Sequence, residues 1–113
     1  MATKDLLDYL PKDSTAGSIT RAFRKNFKIT LKELSKLTGI PESNLSAIEN
    51  DKLEIGVKRA TLIGAALGIS PESLLFPNGK SQYEKEAERV RHAAEKLFAA
   101  KKKQHKGSQD EAA

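Results

Sequence analysis

Between Thr30 and Ile48 the chain reads TLKELSKLTGIPESNLSAI, and its apolar positions fall at helical spacing in two short runs. Leu34 and Leu37 give the first run an apolar stripe; Leu45 and Ile48 do the same for the second. Thr30 followed three residues later by Glu33 is a capping box, in which the hydroxyl satisfies an orphan amide while the carboxylate reaches back to another. Gly39 supplies the positive φ that stops a helix and turns the chain sharply. Ile40 turns inward, and Pro41, with no N–H to lose, opens the second helix at its first position. Glu42, Ser43, Asn44 and Ala47 are left facing outward.

The same pattern divides the rest of the chain. Residues 1–17 hold a short amphipathic piece, Leu6, Leu7 and Leu10, ended by Pro11 and followed by a polar linker from Lys12 to Gly17. Docking of that piece is expected, because three leucines would otherwise be wet. Residues 18–79 form a helical domain. Its expected core is Ile19, Phe23, Phe27, Ile29, Leu34, Leu37, Ile40, Leu45, Ile48, Leu62, Ile63, Ala66, Leu67, Ile69, Leu74 and Leu75. Short helices of this kind are stable only through such shared burial. Gly68 ends the fourth helix, and Ser70 with Pro71 starts the fifth. Pro77, Asn78 and Gly79 then break the chain.

Residues 80–113 open with a second capping box, Ser81 and Glu84, and a long helix is predicted to about Lys103. Tyr83, Ala87, Val90, Ala94 and Leu97 recur every four or three residues along it, a narrow apolar seam with charges on the other sides. That seam fits three arrangements: folding back on its own domain, forming a dimer, or holding a different protein. Residues 104–113 are polar and expected to be disordered. The fold class is all-α, a compact five-helix domain followed by a long C-terminal helix.

Two helices packed at a steep angle, the second short, polar and outward, make a shape that fits the DNA major groove. Residues 19–76 resemble the phage repressor and Cro type of helix-turn-helix domain, the XRE family. The resemblance rests on Arg21 and Arg24 in the first helix, and on Thr30, Glu33, Leu34, Gly39, Ile40, Ser43, Ser46, Ile48 and Glu49. The later stretch from Ala60 to Phe76, ATLIGAALGISPESLLF, resembles the family's fourth and fifth helices. The resemblance implies that an arginine of the first helix, here Arg24, pairs with the glutamate that ends the recognition helix, here Glu49.

Charge agrees with a polyanionic partner. The formal net charge is +5, and its distribution matters more than its sum. Residues 1–17 hold two basic and three acidic side chains, residues 18–79 nine and six, and residues 80–113 again nine and six. The basic excess thus lies partly in the helical domain and partly in the tail, at Lys101, Lys102, Lys103 and Lys106. With no cysteine among 113 residues there is no disulfide framework, thiolate nucleophile or cysteine zinc site. His92 and His105 have no neighbours at ligand spacing, so neither a metal nor another cofactor is expected. Ser43 and Ser46 have no histidine nearby to activate them, and no glycine loop for phosphate is present, so no enzyme is expected. No apolar run approaches a membrane span and the N-terminus has no signal-peptide pattern, which makes the cytoplasm the expected location.

Affinity for double-stranded DNA is expected from phosphate contacts by Arg21, Lys32, Lys36, Ser46, Asn50, Lys52, Lys58 and Arg59, with the amide of Leu31 beneath its cap. Base contacts are expected from Glu42, Ser43, Asn44 and Ala47. Asn44 suits adenine, Glu42 a cytosine amine and Ala47 a thymine methyl. Here the chain departs from the family, whose members often carry Arg, Gln or Lys at the positions of Glu42 and Ala47, and Gln at that of Leu31. Glu42 also suits a second role, strengthening the positive end of its helix dipole. One recognition helix buries too little surface to find a single genomic site, so a homodimer is expected, with Leu74, Leu75, Phe76, Tyr83, Val90 and Leu97 as its surface. The resulting expectation is a transcriptional regulator, of which repression is the family's commonest form. Two alternatives stand beside it: an antitoxin that holds a protein partner through its C-terminal segment, and an accessory DNA-binding protein with little sequence preference.

Overall fold

The computed structural model describes Leu7 and residues 9–104, and among these every regular element is helical. Six α-helices lie wholly within the described residues: α1 Ala16–Asn26, α2 Leu31–Thr38, α3 Glu42–Glu49, α4 Gly56–Leu67, α5 Pro71–Leu75 and α6 Glu84–Gln104. A 3-10 turn, Pro77–Gly79, follows α5. The chain forms two units, residues 1–82 and residues 83–113.

In the first unit the helix ends are set by local chemistry. α1 starts at a capping box of Thr15 and Ser18, with the Ser18 amide on Thr15 Oγ1 at 3.0 Å and the Thr15 amide on Ser18 Oγ at 2.8 Å. Ala16 and Gly17, read from the sequence as the end of a linker, are therefore helical. The Thr30–Glu33 box closes reciprocally at 3.0 Å on both sides and opens α2. Gly39 ends α2 at φ 80°, in the left-handed region. Pro41 stands one place earlier than expected: it flanks α3, whose first helical residue is Glu42. Ser70 caps α5 with Pro71 at its start.

The core gathers Phe23 of α1, Leu34 of α2, Leu45 and Ile48 of α3, Ile63 and Leu67 of α4 and Leu74 of α5. Two expected core residues are surface residues instead. Leu37 is 65% exposed, because the inward line of α2 runs through Leu31, Leu34 and Thr38 and leaves Leu37 to one side. Phe27 lies just past the last turn of α1, where its ring tilts against Phe23 but stays 39% exposed. Ile55 and Ala60 are buried in addition. At the corner between α4 and α5, a Cβ on Gly64 would lie 2.3 Å from the Ile69 carbonyl oxygen, so only glycine permits that approach. Leu7 and Leu10 pack against the core, and Asn78 Nδ2 donates to the Lys12 carbonyl, so this part of the N-terminal segment is docked. Leu6 lies outside the described residues.

The second unit is α6. It starts two residues later than a Ser81 cap would place it: Tyr83 takes the flanking position, its carbonyl accepting the Ala87 amide at 2.9 Å. The chain beyond Gln104, with His105, Lys106 and the expected disorder, lies outside the described residues. Among the described residues no helix is long and apolar enough to cross a membrane.

Candidate nucleic-acid interface

α3 is seated by its own sequence alternation. Leu45 and Ile48 are buried, whereas Glu42 and Ser43 are exposed and Asn44, Ser46 and Ala47 half-buried. The turn before it is braced by side chains. Ser35 Oγ donates to the Ile40 carbonyl at 2.6 Å, and Thr38 Oγ1 accepts from the Ile40 amide at 3.1 Å while donating to the Leu34 carbonyl. The carbonyl and the amide of Ile40 are both satisfied there, which stiffens the turn between α2 and α3. α3 ends in a Schellman motif, with the Lys52 amide on the Ala47 carbonyl at 2.8 Å and the Asp51 amide on that of Ile48 at 3.0 Å. Asp51 takes the left-handed position, φ 59°.

The end of α3 is tied to α1 by a charged network. Arg24 Nε donates to Glu49 Oε2 at 2.7 Å and its Nη2 to Oε1 at 3.0 Å, a two-toothed pair. Arg24 Nη1 also donates to the Ile29 carbonyl at 2.9 Å, which anchors the loop before α2. The Glu49 side chain is 2% exposed and that of Arg24 12%. Hydrogen bonding to Glu49, opposed by burial and aided by its charge, raises the Arg24 pKa and keeps the guanidinium protonated. Arg21, 42% exposed, reaches the same carboxylate at 3.4 Å and donates through Nη2 to Asn50 Oδ1 at 2.7 Å. Asn50 Nδ2 in turn donates to the Ser46 carbonyl at 2.9 Å. One arginine is thus committed to the fold, and the other stands at the surface with its direction set by Asn50.

Around α3 the candidate cations differ in freedom. Lys32 and Lys36 of α2, Lys52 after α3 and Lys58 in the first turn of α4 are exposed. Arg59 is half-buried, its Nη2 donating to the Glu54 carbonyl at 2.7 Å and its Nε buried without a partner. At the start of α2 the capping box uses the amides of Thr30 and Glu33, which leaves those of Leu31 and Lys32 outside it. α3 has no side-chain cap. A helix N-terminus of this kind attracts anions through its unpaired amides and its dipole.

The residues expected at a dimer surface do not all lie at the surface. Leu74 is 1% exposed and belongs to the core, because α5 packs on α1 and α4 through it. Leu75 is half-buried and Phe76 49% exposed. In the second unit Tyr83, Val90 and Leu97 are exposed, and so is Phe98, which lies off the expected seam. The Ser18 cap, the close approach at Gly17 (expected only as the end of a linker) and the Arg21–Asn50 bond were not expected from the sequence. The three-residue spacing of Thr15 and Ser18 was the available signal for the cap; the other two join residues 29 or more positions apart and left none.

A protein-family model described as Helix-turn-helix matches residues 21–74. No curated protein and no solved structure matches the chain.

Proposed function

We propose that this chain, whose residues 21–74 match a helix-turn-helix family model, is a DNA-binding regulator of the phage repressor and Cro type (XRE family), and that it is a sequence-specific repressor that binds an inverted repeat as a homodimer. The observation that supports this most is the contrast on α3, whose inner residues are locked by packing and the Arg24–Glu49 pair while its outer residues make no fold contact of comparable strength. A reading surface needs that rigidity, since hydrogen bonds to base edges discriminate only when the donors are held in position.

In this reading α3 enters the major groove. Asn44 pairs with an adenine edge, Glu42 accepts from a cytosine amine, Ala47 meets a thymine methyl, and Ser43 bonds whichever edge faces it. Phosphates are held by Lys32, Lys36, Lys52 and Lys58, by the Leu31 amide, and by Arg21 and Asn50 acting together; Ser46 and Arg59 complete the rim. Affinity follows from counterions released at those phosphates, and it falls steeply with salt. Two copies related by a two-fold axis read two half-sites one helical turn apart, about 10 base pairs. Repression then needs no further chemistry: a dimer seated on a promoter excludes polymerase from the same DNA.

Selection from a random duplex library at physiological salt, followed by sequencing, tests this. An enriched inverted repeat is the expected result. Binding with no enriched sequence would overturn the specific reading in favour of general DNA association.

A further inference from the structure

α6 carries an apolar edge with no cover among its own residues: Val90 is 62% exposed, Leu97 53% and Phe98 65%. Written as a heptad, the helix has Tyr83, Val90 and Leu97 at d and Ala87 and Ala94 at a. The flanking rows are then Glu86, Ala93 and Ala100 at g, and Glu84, Arg91 and Phe98 at e. Lys101, the next a position, closes the seam with a charge.

These flanks select one partner and one direction. In a parallel, in-register pair each g residue faces the e residue five places later in the other copy. Glu86 then meets Arg91, opposite in charge, and Ala93 meets Phe98, both apolar; the two-fold axis repeats each pair. The second match accounts for Phe98, which the seam alone leaves out. In an antiparallel pair the rows face their own kind, and Arg91 at the centre of the seam would face its counterpart. Arg91 already lies along this edge, with Nη2 donating to Glu84 Oε2 at 2.8 Å. We propose that α6 is the dimerisation element, pairing with α6 of a second copy as a parallel, in-register two-stranded coiled coil; this deepens the homodimer of the proposed function and rests on it. Alanine at both a positions makes the pair shallow, so association depends on concentration.

The chain has no cysteine, so single cysteines in the full-length protein report the geometry directly. Ala87→Cys and Leu97→Cys are each expected to form disulfide-linked dimers on mild oxidation, whereas Glu95→Cys, on the outer face, does not. In an antiparallel pair, moving ten residues along the helix shifts a side chain by about 15 Å, so the two positions could not both meet their own copies within disulfide reach. Glu86→Arg and Arg91→Glu should each weaken association, read by sedimentation equilibrium, by about fivefold, and the double exchange should restore it. Failure of Ala87→Cys and Leu97→Cys to cross-link above the Glu95→Cys level, or failure of the double exchange to restore association, would overturn the proposal. A protein that still sediments as a dimer in that event keeps the homodimer and loses only α6 as its seat; one that is monomeric throughout loses both.

Discussion

Gly17 of α1 faces the carbonyl oxygen of Ile48 in α3 so closely that a Cβ at position 17 would lie 2.1 Å from it, and 2.7 Å from Asp51 Oδ1. The first turn of α1 therefore rests on the last turn of the proposed recognition helix, backbone against backbone. In an open helix, Gly→Ala stabilises by roughly 0.5–1 kcal/mol. Here the sign reverses. Gly17→Ala is expected to destabilise by about 1–3 kcal/mol, since the carbonyl cannot move without moving α3. Urea unfolding gives the sign, and DNA affinity measured well below the melting temperature should fall with it.

Glu49 is the second hold on α3. Glu49→Ala removes both bonds to Arg24 and leaves its guanidinium largely desolvated, at a cost of about 3 kcal/mol. Glu49→Gln should recover part of that loss, because an amide oxygen still accepts one of the two bonds. Equal urea midpoints for Glu49→Ala and the parent protein would show that the pair does not restrain α3.

The elements legible in the sequence were those encoded within four residues. The Thr30–Glu33 box, the Gly39 stop and the Ser70–Pro71 start each depend on near neighbours, and each stands where the pattern put it. Periodicity also identified most of the core, but it failed for Leu37, where an eight-residue helix offers two stripes and tertiary packing selects the one through Leu31 and Leu34. Leu74 and Leu75 were placed both in the core and on the dimer surface for a related reason: a five-residue helix is too short for its pattern to say which leucine of a pair goes inside, and Leu74 is the one that does. The seat of α3 on Gly17 and the Arg21–Asn50 bond join distant parts of the chain, and no local signal encodes them.

Proposed base and phosphate contacts separate by substitution. Asn44→Ala is expected to relax preference at one base position by about 1–3 kcal/mol while leaving affinity for unrelated duplexes nearly unchanged. Lys58→Ala should weaken all duplexes alike and lower the slope of log affinity against log salt by about one. Titration of matched and mismatched duplexes at several salt concentrations measures both. Uniform weakening by Asn44→Ala would remove it from the reading set.

Lys28, between α1 and α2, holds φ at 60° in the left-handed region that costs an L side chain energy. Lys28→Gly is expected to stabilise the domain by about 0.5–1 kcal/mol, offset in part by the greater freedom of glycine in the unfolded chain. A rise in Tm under calorimetry is the expected result; a fall would mean that the lysine stem contributes packing.

On α3 the residues that seat the helix and the residues that face outward are different residues. Leu45, Ile48 and Glu49 hold it in place, whereas Glu42, Ser43, Asn44 and Ala47 can be exchanged without disturbing those holds. The proposed address and the bracket that carries it are thus separate sets of residues. If the outward residues read DNA as proposed, a duplicated copy of this chain can change its target one outward side chain at a time without touching the residues that hold α3, and four grafted positions are enough to attempt the same change by design.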